Sequence, residues 1–93
     1  MIDVVALGEL LIDFAAKSTD AAGYPTMAAN PGGAPGNFLA ALNAYGRKTA
    51  FLGKVGDDTF GHLLLGTLSR VGIETKGILV DDHFFTTLAF VTF

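Results

Sequence analysis

Asp13 and Asn37 lie on either side of a glycine-rich bend, Gly32-Gly33-Ala34-Pro35-Gly36, and these residue types can hold a polar ligand. Glycine has no Cβ, so a glycine pair lets the backbone approach a bound molecule closely. Pro35 suits a first helical position, where its missing N–H is not needed. Asn37 follows, with an amide that both donates and accepts hydrogen bonds. Free backbone donors and one bifunctional side chain in a small volume suit a polyhydroxyl ligand or an oxyanion. The same residues also make an ordinary strand-to-helix turn, and short glycine motifs arise by chance. Asp13 follows a strand and an apolar stretch, which places it near the carboxyl end of a sheet. Open α/β sheets bind ligands there. Its carboxylate can accept hydrogen bonds from neighbouring hydroxyls; a loop aspartate capping a turn is the alternative.

The remaining polar residues point to structure. Glu9, beside Gly8 at the end of the first strand, suits bonding to backbone N–H groups better than work as a general base. Asp57 and Asp58 are adjacent carboxylates, but a helix N-cap, stabilising by ~1 kcal/mol, explains them more simply than catalysis. His62 and His83 have no second histidine or cysteine at metal-ligand spacing. No Ser-His-Asp arrangement stands out. The first strand-to-helix junction lacks G-x-G-x-x-G, and there is no G-x-x-x-x-G-K-S/T loop. No catalytic, cofactor-binding or metal-binding residue is assigned within this segment.

These groups sit in an unusually apolar chain. Of 93 residues, 51% are hydrophobic and 16% charged, with eight Phe, no Cys and a net charge of −3. Globular chains average about 25% charged residues. A chain this short buries roughly two-thirds of its unfolded surface. The excess of apolar surface predicts a partner, or a larger fold of which this is a piece. The six basic residues are scattered apart from Arg47 and Lys48, which argues against a nucleic-acid face and a polybasic membrane anchor. Without cysteine there are no disulfides or thiolate metal sites. Apolar runs fall short of a membrane span, and no basic-then-apolar leader opens the chain. The expectation is a soluble, cytoplasmic protein.

The elements that would position the candidate residues alternate. Ile2 to Leu7 reads as a buried strand bounded by Gly8, and Glu9 to Phe14 continues apolar. Ala15 to Asn30 has no steady period and reads as loop or short irregular strand, a candidate flap or lid. Pro35 to Tyr45 has helical spacing, with Phe38, Ala41, Leu42 and Tyr45 on one face and Gly46 as the stop. Thr49 to Val55 is a strand. Asp57 or Asp58 caps a second helix carrying Phe60, Leu63, Leu64, Thr67, Leu68 and Val71, stopped by Gly72. Gly77 to Val80 is a third strand, and Thr86 to Phe93 is strongly β-like. In that last run Thr87, Ala89, Val91 and Phe93 share one face. If it lines a pocket, it offers small groups and a hydroxyl. The alternation predicts a parallel sheet with helices on both faces. The β-like run reaches Phe93 with no turn signal after it, so the native protein is expected to continue.

Taken together these residues resemble the N-terminal part of the ribokinase-like (PfkB) carbohydrate kinases, most closely the fructokinases. The matching stretches are Gly8-Glu9-Leu10-Leu11-Ile12-Asp13, Gly32-Gly33-Ala34-Pro35-Gly36-Asn37, Val55-Gly56-Asp57-Asp58-Thr59-Phe60-Gly61 and Thr86-Thr87-Leu88-Ala89-Phe90-Val91. Gly46 and Gly56 fall at the spacing of the family's first signature. Four motifs in order, over essentially the whole chain, are far more specific than one glycine loop. Leu39 departs from that signature, which wants a small residue two positions after the asparagine; its place on the helix concerns packing more than ligand contact.

The resemblance implies an α/β fold: a ribokinase-like doubly wound sheet with a small β lid, only the N-terminal part being present. Residues 1–93 would be one part of a single kinase domain, with core 1–13 and 32–82 and lid segments roughly 14–31 and 84–93. It implies ATP-dependent phosphorylation of a sugar hydroxyl, fructose first, with Mg and ATP bound elsewhere in the chain. By motif position Asp13 would hold sugar hydroxyls, Gly32 and Gly33 would be hinge and close-approach loop, Asn37 would bond another hydroxyl, and Ala89 would form a pocket wall. The catalytic base and the ATP site would lie beyond Phe93, leaving this segment inactive alone. The expected partners are the sugar, the remainder of the kinase chain and a second copy through the lid, with neither nucleic acid nor membrane. Two other readings stay open: a non-catalytic sugar-binding or assembly module, and a kinase for a sugar acid or nucleoside.

Overall fold

The structure is a computed structural model that describes residues 1–91, the side chains of Ala34 and Pro35 excepted. Thr92 and Phe93, the end of the last β-like run, lie outside the described residues. The elements are β1 (Val4–Leu7), β2 (Leu11–Thr19), β3 (Pro25–Gly32), α1 (Ala34–Ala44), β4 (Thr49–Gly56), α2 (Thr59–Arg70), β5 (Ile78–Asp81) and β6 (Thr87–Val91). They form two three-stranded sheets. The first has the order β1-β4-β5 and is parallel throughout. The second has the order β3-β2-β6, with β2 antiparallel to β3 and parallel to β6.

The residue pattern from Ala15 to Asn30 suggests loop or short irregular strand, whereas the resemblance puts this stretch in a small β sheet. It is a long hairpin, in which β2 and β3 pair from Leu11↔Gly32 to Thr19↔Pro25. Its strands are rich in alanine, which carries little intrinsic strand preference, so alternation alone does not reveal them. The turn is built by Asp20, whose Oδ1 accepts from the backbone N–H of Ala22 and of Tyr24, each at 2.9 Å. Gly23 completes it at φ +89°, which favours glycine.

Helix α1 also turns differently than its spacing suggests. Phe38 and Tyr45 are 57% and 85% exposed, whereas Leu39 is fully buried. The inward face runs through Gly36, Leu39, Ala40 and Asn43. The helix is apolar nearly all round, so two stripes competed, and the one holding Leu39 meets the core. Asn43 on this face donates to the carbonyl of Val71 at the end of α2, tying the helices together. Leu39 joins Leu64 and Leu68 of α2, Phe51 and Val55 of β4, Ile78 of β5, and Leu10 and Ile12 in one core. Both helices thus pack on one face of the parallel sheet. On the opposite face Val5, Leu7, Leu52 and Leu79 are exposed. β1 is correspondingly half-covered, not buried. Among the described residues β6 is an edge strand of the second sheet, with Leu88 and Phe90 exposed. No helix among the described residues is long and apolar enough to cross a membrane.

Candidate functional site

Side chains alternate across β2, so Leu10 and Ile12 enter the core while Leu11 and Asp13 take the other face of the second sheet. On the core side Phe14 meets Phe60 of α2 edge-on at 5.3 Å and stacks on Phe90 of β6 at 5.1 Å, holding the three-stranded sheet against α2. Asp13 is half-buried on the far face. Its neighbour across β3 is Asn30, and across β6 it is Ala89.

Both glycines of the bend are required, for different reasons. Gly32 ends β3 directly under Asp13: a Cβ there would run into the carboxylate, with Cγ at 3.0 Å. Gly33 has φ +116°, and a Cβ on it would meet the Glu9 carbonyl oxygen at 2.6 Å. Glu9 thus contributes its backbone to the close packing of the bend. Gly33 is the N-cap of α1, and no side chain caps this helix. Its carbonyl accepts from the N–H of Asn37 at 3.2 Å, the first helical bond.

Asn37 is exposed. It lines an open hollow between α1 and α2, together with Gly32, Gly33, Gly36 and Leu68. Asp13 is not part of that lining. Gly32 is the link: it borders the hollow on one side and supports the Asp13 carboxylate on the other. The structure therefore joins Asp13, Gly32 and Ala89 on one sheet face, and Gly32, Gly33 and Asn37 around the helix start. The two groups share the bend; no single hollow described here is lined by both.

The reading of Asp57 and Asp58 as structural holds for Asp58, whose side chain caps α2 by accepting from the Gly61 N–H at 2.7 Å. The same carboxylate accepts from the N–H and the hydroxyl of Thr86, at 2.8 and 2.7 Å. Thr86 is 4% exposed, and its oxygen also accepts from the N–H of Gly56 at 3.0 Å. A Cβ on Gly56 would meet the Thr86 nitrogen at 2.5 Å, so glycine is needed where β4 ends. This latch fixes the start of β6 against the end of β4 and the N-terminus of α2. Partial burial pushes the Asp58 carboxyl up, but the hydrogen bonds from Thr86, Gly61 and Phe60 outweigh it and hold it below the usual carboxylate range. Asp57 instead pairs with His62, Oδ1 to Nε2 at 2.9 Å, on the surface.

At the carboxyl ends of β4 and β5, Lys54 and Asp81 form an ion pair at 3.2 Å, with the Lys54 ammonium 4.9 Å from the centre of the Phe84 ring. The His83 backbone N–H, and then Lys54, hold the Asp81 carboxyl below its ordinary range. Lys54, Asp81 and Phe84 border an open hollow that Thr87 also lines. No group of three or more metal-ligating side chains occurs among the described residues.

Comparison with known proteins identifies the arrangement. The family described as pfkB family carbohydrate kinase matches residues 1–93. The chain belongs to the PfkB carbohydrate kinases. It is 45% identical over 94 residues to Fructokinase-2 of Oryza sativa subsp. japonica, covering 96% of this chain and 27% of that protein. The crystal structure of fructokinase from Xylella fastidiosa matches with a TM-score of 0.89 and 32% identity, over 96% of this chain and 28% of that one. A putative ribokinase II from E. coli, in complex with ATP and Mg, matches with a TM-score of 0.85 and 29% identity, over 100% of this chain and 31% of that one. The chain thus spans under a third of the length of these relatives. The two sheets and two helices are the ribokinase-like α/β fold of this PfkB family over the part the chain spans.

Proposed function

We propose that the protein is an ATP-dependent sugar kinase acting on fructose, and that this chain supplies part of its sugar site. The observation that supports the reading best is the Asp13 carboxylate lying over Gly32, at a bend whose two glycines leave no room for side chains. A half-buried carboxylate beside bare backbone and the small Ala89 suits a pair of sugar hydroxyls. In this reading Asp13 accepts hydrogen bonds from two hydroxyls, Asn37 bonds a third, and Gly32 and Gly33 allow close approach. The lid segments, roughly 14–31 and 84–93, close on the core of 1–13 and 32–82 and exclude water from the reacting hydroxyl; the second sheet, Leu11–Thr19, Pro25–Gly32 and Thr87–Val91, supplies most of the first and part of the second.

Phosphoryl transfer is supplied by ATP with Mg when bound, at groups outside residues 1–93, as is the base that takes the hydroxyl proton. The residues of this chain bind and orient the acceptor hydroxyl, a role from which much of the rate of such reactions derives. The reading further takes a second copy as partner through the lid and a cytoplasmic location; the scattered positive charge supports the absence of nucleic-acid and polybasic membrane partners.

The test is a coupled assay of ADP release by the complete enzyme with fructose and other sugars. Asp13→Ala is expected to lower kcat/KM for sugar by about a hundredfold or more, since it removes charge-assisted hydrogen bonds, with KM for ATP preserved. Unchanged sugar kinetics would remove Asp13 from the site. Sugar binding without phosphate transfer in the wild-type enzyme would favour a binding module of the same fold.

A further inference from the structure

The hairpin pairing brings a residue to Asp13 that its sequence neighbourhood does not suggest. Asn30 stands directly across from Asp13 in the β2–β3 register and is exposed. Directly opposed residues share a sheet face, with Cβ atoms about 4.5–5.5 Å apart. On the other flank Ala89 opposes Asp13 and offers only a methyl as side chain. Thr87 lies one pair further along β6 on the same face. From the Leu11↔Gly32 pair to the Ala15↔Ala28 pair, Asp13, Asn30 and Thr87 are the polar side chains of a floor otherwise made of Gly, Ala, Leu and Val.

We infer that Asn30 is a specificity-determining residue, binding the sugar hydroxyl next to the one that Asp13 holds. This rests on the reading of Asp13 as a sugar ligand. An ionised carboxylate only accepts hydrogen bonds, whereas a carboxamide donates and accepts. Side by side, the two take a hydroxyl pair in which one proton is given to Asp13 and the second oxygen receives an N–H from Asn30. A sugar whose hydroxyl at that carbon is inverted leaves the carboxamide without its partner, and sites built around a hydrogen bond reject analogues that cannot make it. The apolar remainder of the floor suits the C–H face of a carbohydrate.

The experiment measures kcat and KM of the complete enzyme for D-fructose, D-tagatose, D-psicose and ATP, in wild type, Asn30→Ala, Asn30→Ser and Asp13→Ala. Asn30→Ala is expected to lower kcat/KM for the preferred sugar about tenfold, the scale of one lost hydrogen bond. KM for ATP stays constant, and the ratio between the preferred sugar and its epimers shrinks. Asn30→Ser is expected to restore part of the loss. Collapse in Asp13→Ala with no change in Asn30→Ala overturns the role of Asn30 and leaves the sugar site standing. No change in either variant overturns both. An equal loss in Asn30→Ala and Asn30→Ser, with an unchanged epimer ratio and a lowered thermal midpoint, marks Asn30 as structural and also overturns the proposal.

Discussion

Replacing Asp58 by alanine tests how the second sheet is fixed to the first. The carboxylate accepts three hydrogen bonds, from the Gly61 N–H, the Thr86 N–H and the Thr86 hydroxyl. Loss of an N-cap costs about 1 kcal/mol. A buried donor left without a partner costs about 1–3 kcal/mol, and Thr86 is buried. Rotation of its hydroxyl recovers part of this, so the sum is about 3 kcal/mol. Thr86→Val removes the acceptor of the Gly56 N–H as well and is expected to cost about 2 kcal/mol. The assay is urea unfolding of the protein and of both single variants and the double variant. Residues in one hydrogen-bond network couple by about 0.5–3 kcal/mol, so the two losses are expected to fall short of additive by more than 1 kcal/mol on that scale. Strict additivity, or a loss in Asp58→Ala within the ~0.5 kcal/mol of an ordinary surface change, would refute the latch. The pH dependence has a fixed sign. The Asp58 carboxyl is held low in the folded protein, so its stabilisation is complete above the ordinary carboxylate range. It is lost as pH falls through the lowered folded value. Asp58→Asn should flatten the acid limb of the stability profile; an unaltered limb would contradict that assignment.

Two further perturbations follow from the packing. Gly33→Ala puts a Cβ against the Glu9 carbonyl at a φ of +116° and is expected to destabilise by about 1–3 kcal/mol, read as a lower urea midpoint. Leu39→Ala empties a fully buried core position and is expected to cost about 3 kcal/mol, whereas Phe38→Ala, on the exposed side of α1, should cost under about 1 kcal/mol.

The parallel strands β1, β4 and β5 and both helices were legible because each is a compact apolar run between glycines, at Gly8, Gly46, Gly56 and Gly72. Asp58 as a cap was legible for the same local reason. Residue pattern alone does not reveal the hairpin, which only the resemblance implies as part of a β lid, since its stability comes from pairing between alanine-containing strands and from the Asp20 turn, which leave no period in the sequence. Without the pairing register, Asn30 could not be read as a neighbour of Asp13, which it joins through the β2–β3 register. Ala89 is named by motif position alone; it lies beside Asp13 because β6 runs parallel to β2 across a long excursion of chain. The wrong stripe was read on α1 because Phe38 and Tyr45 are larger than Leu39, and size does not tell which side a core lies on. Thr86 looked like the start of a strand; its role as the partner of Asp58 comes from a contact between residues 28 positions apart in sequence.

The most direct test is a crystal structure of the complete enzyme with fructose bound. The sugar should lie on the face of β2, β3 and β6 that carries Asp13, with hydroxyls within about 3 Å of both carboxylate oxygens and its ring passing close over Gly32. An ordered sugar bound elsewhere, with the Asp13 carboxylate facing solvent, would contradict the account.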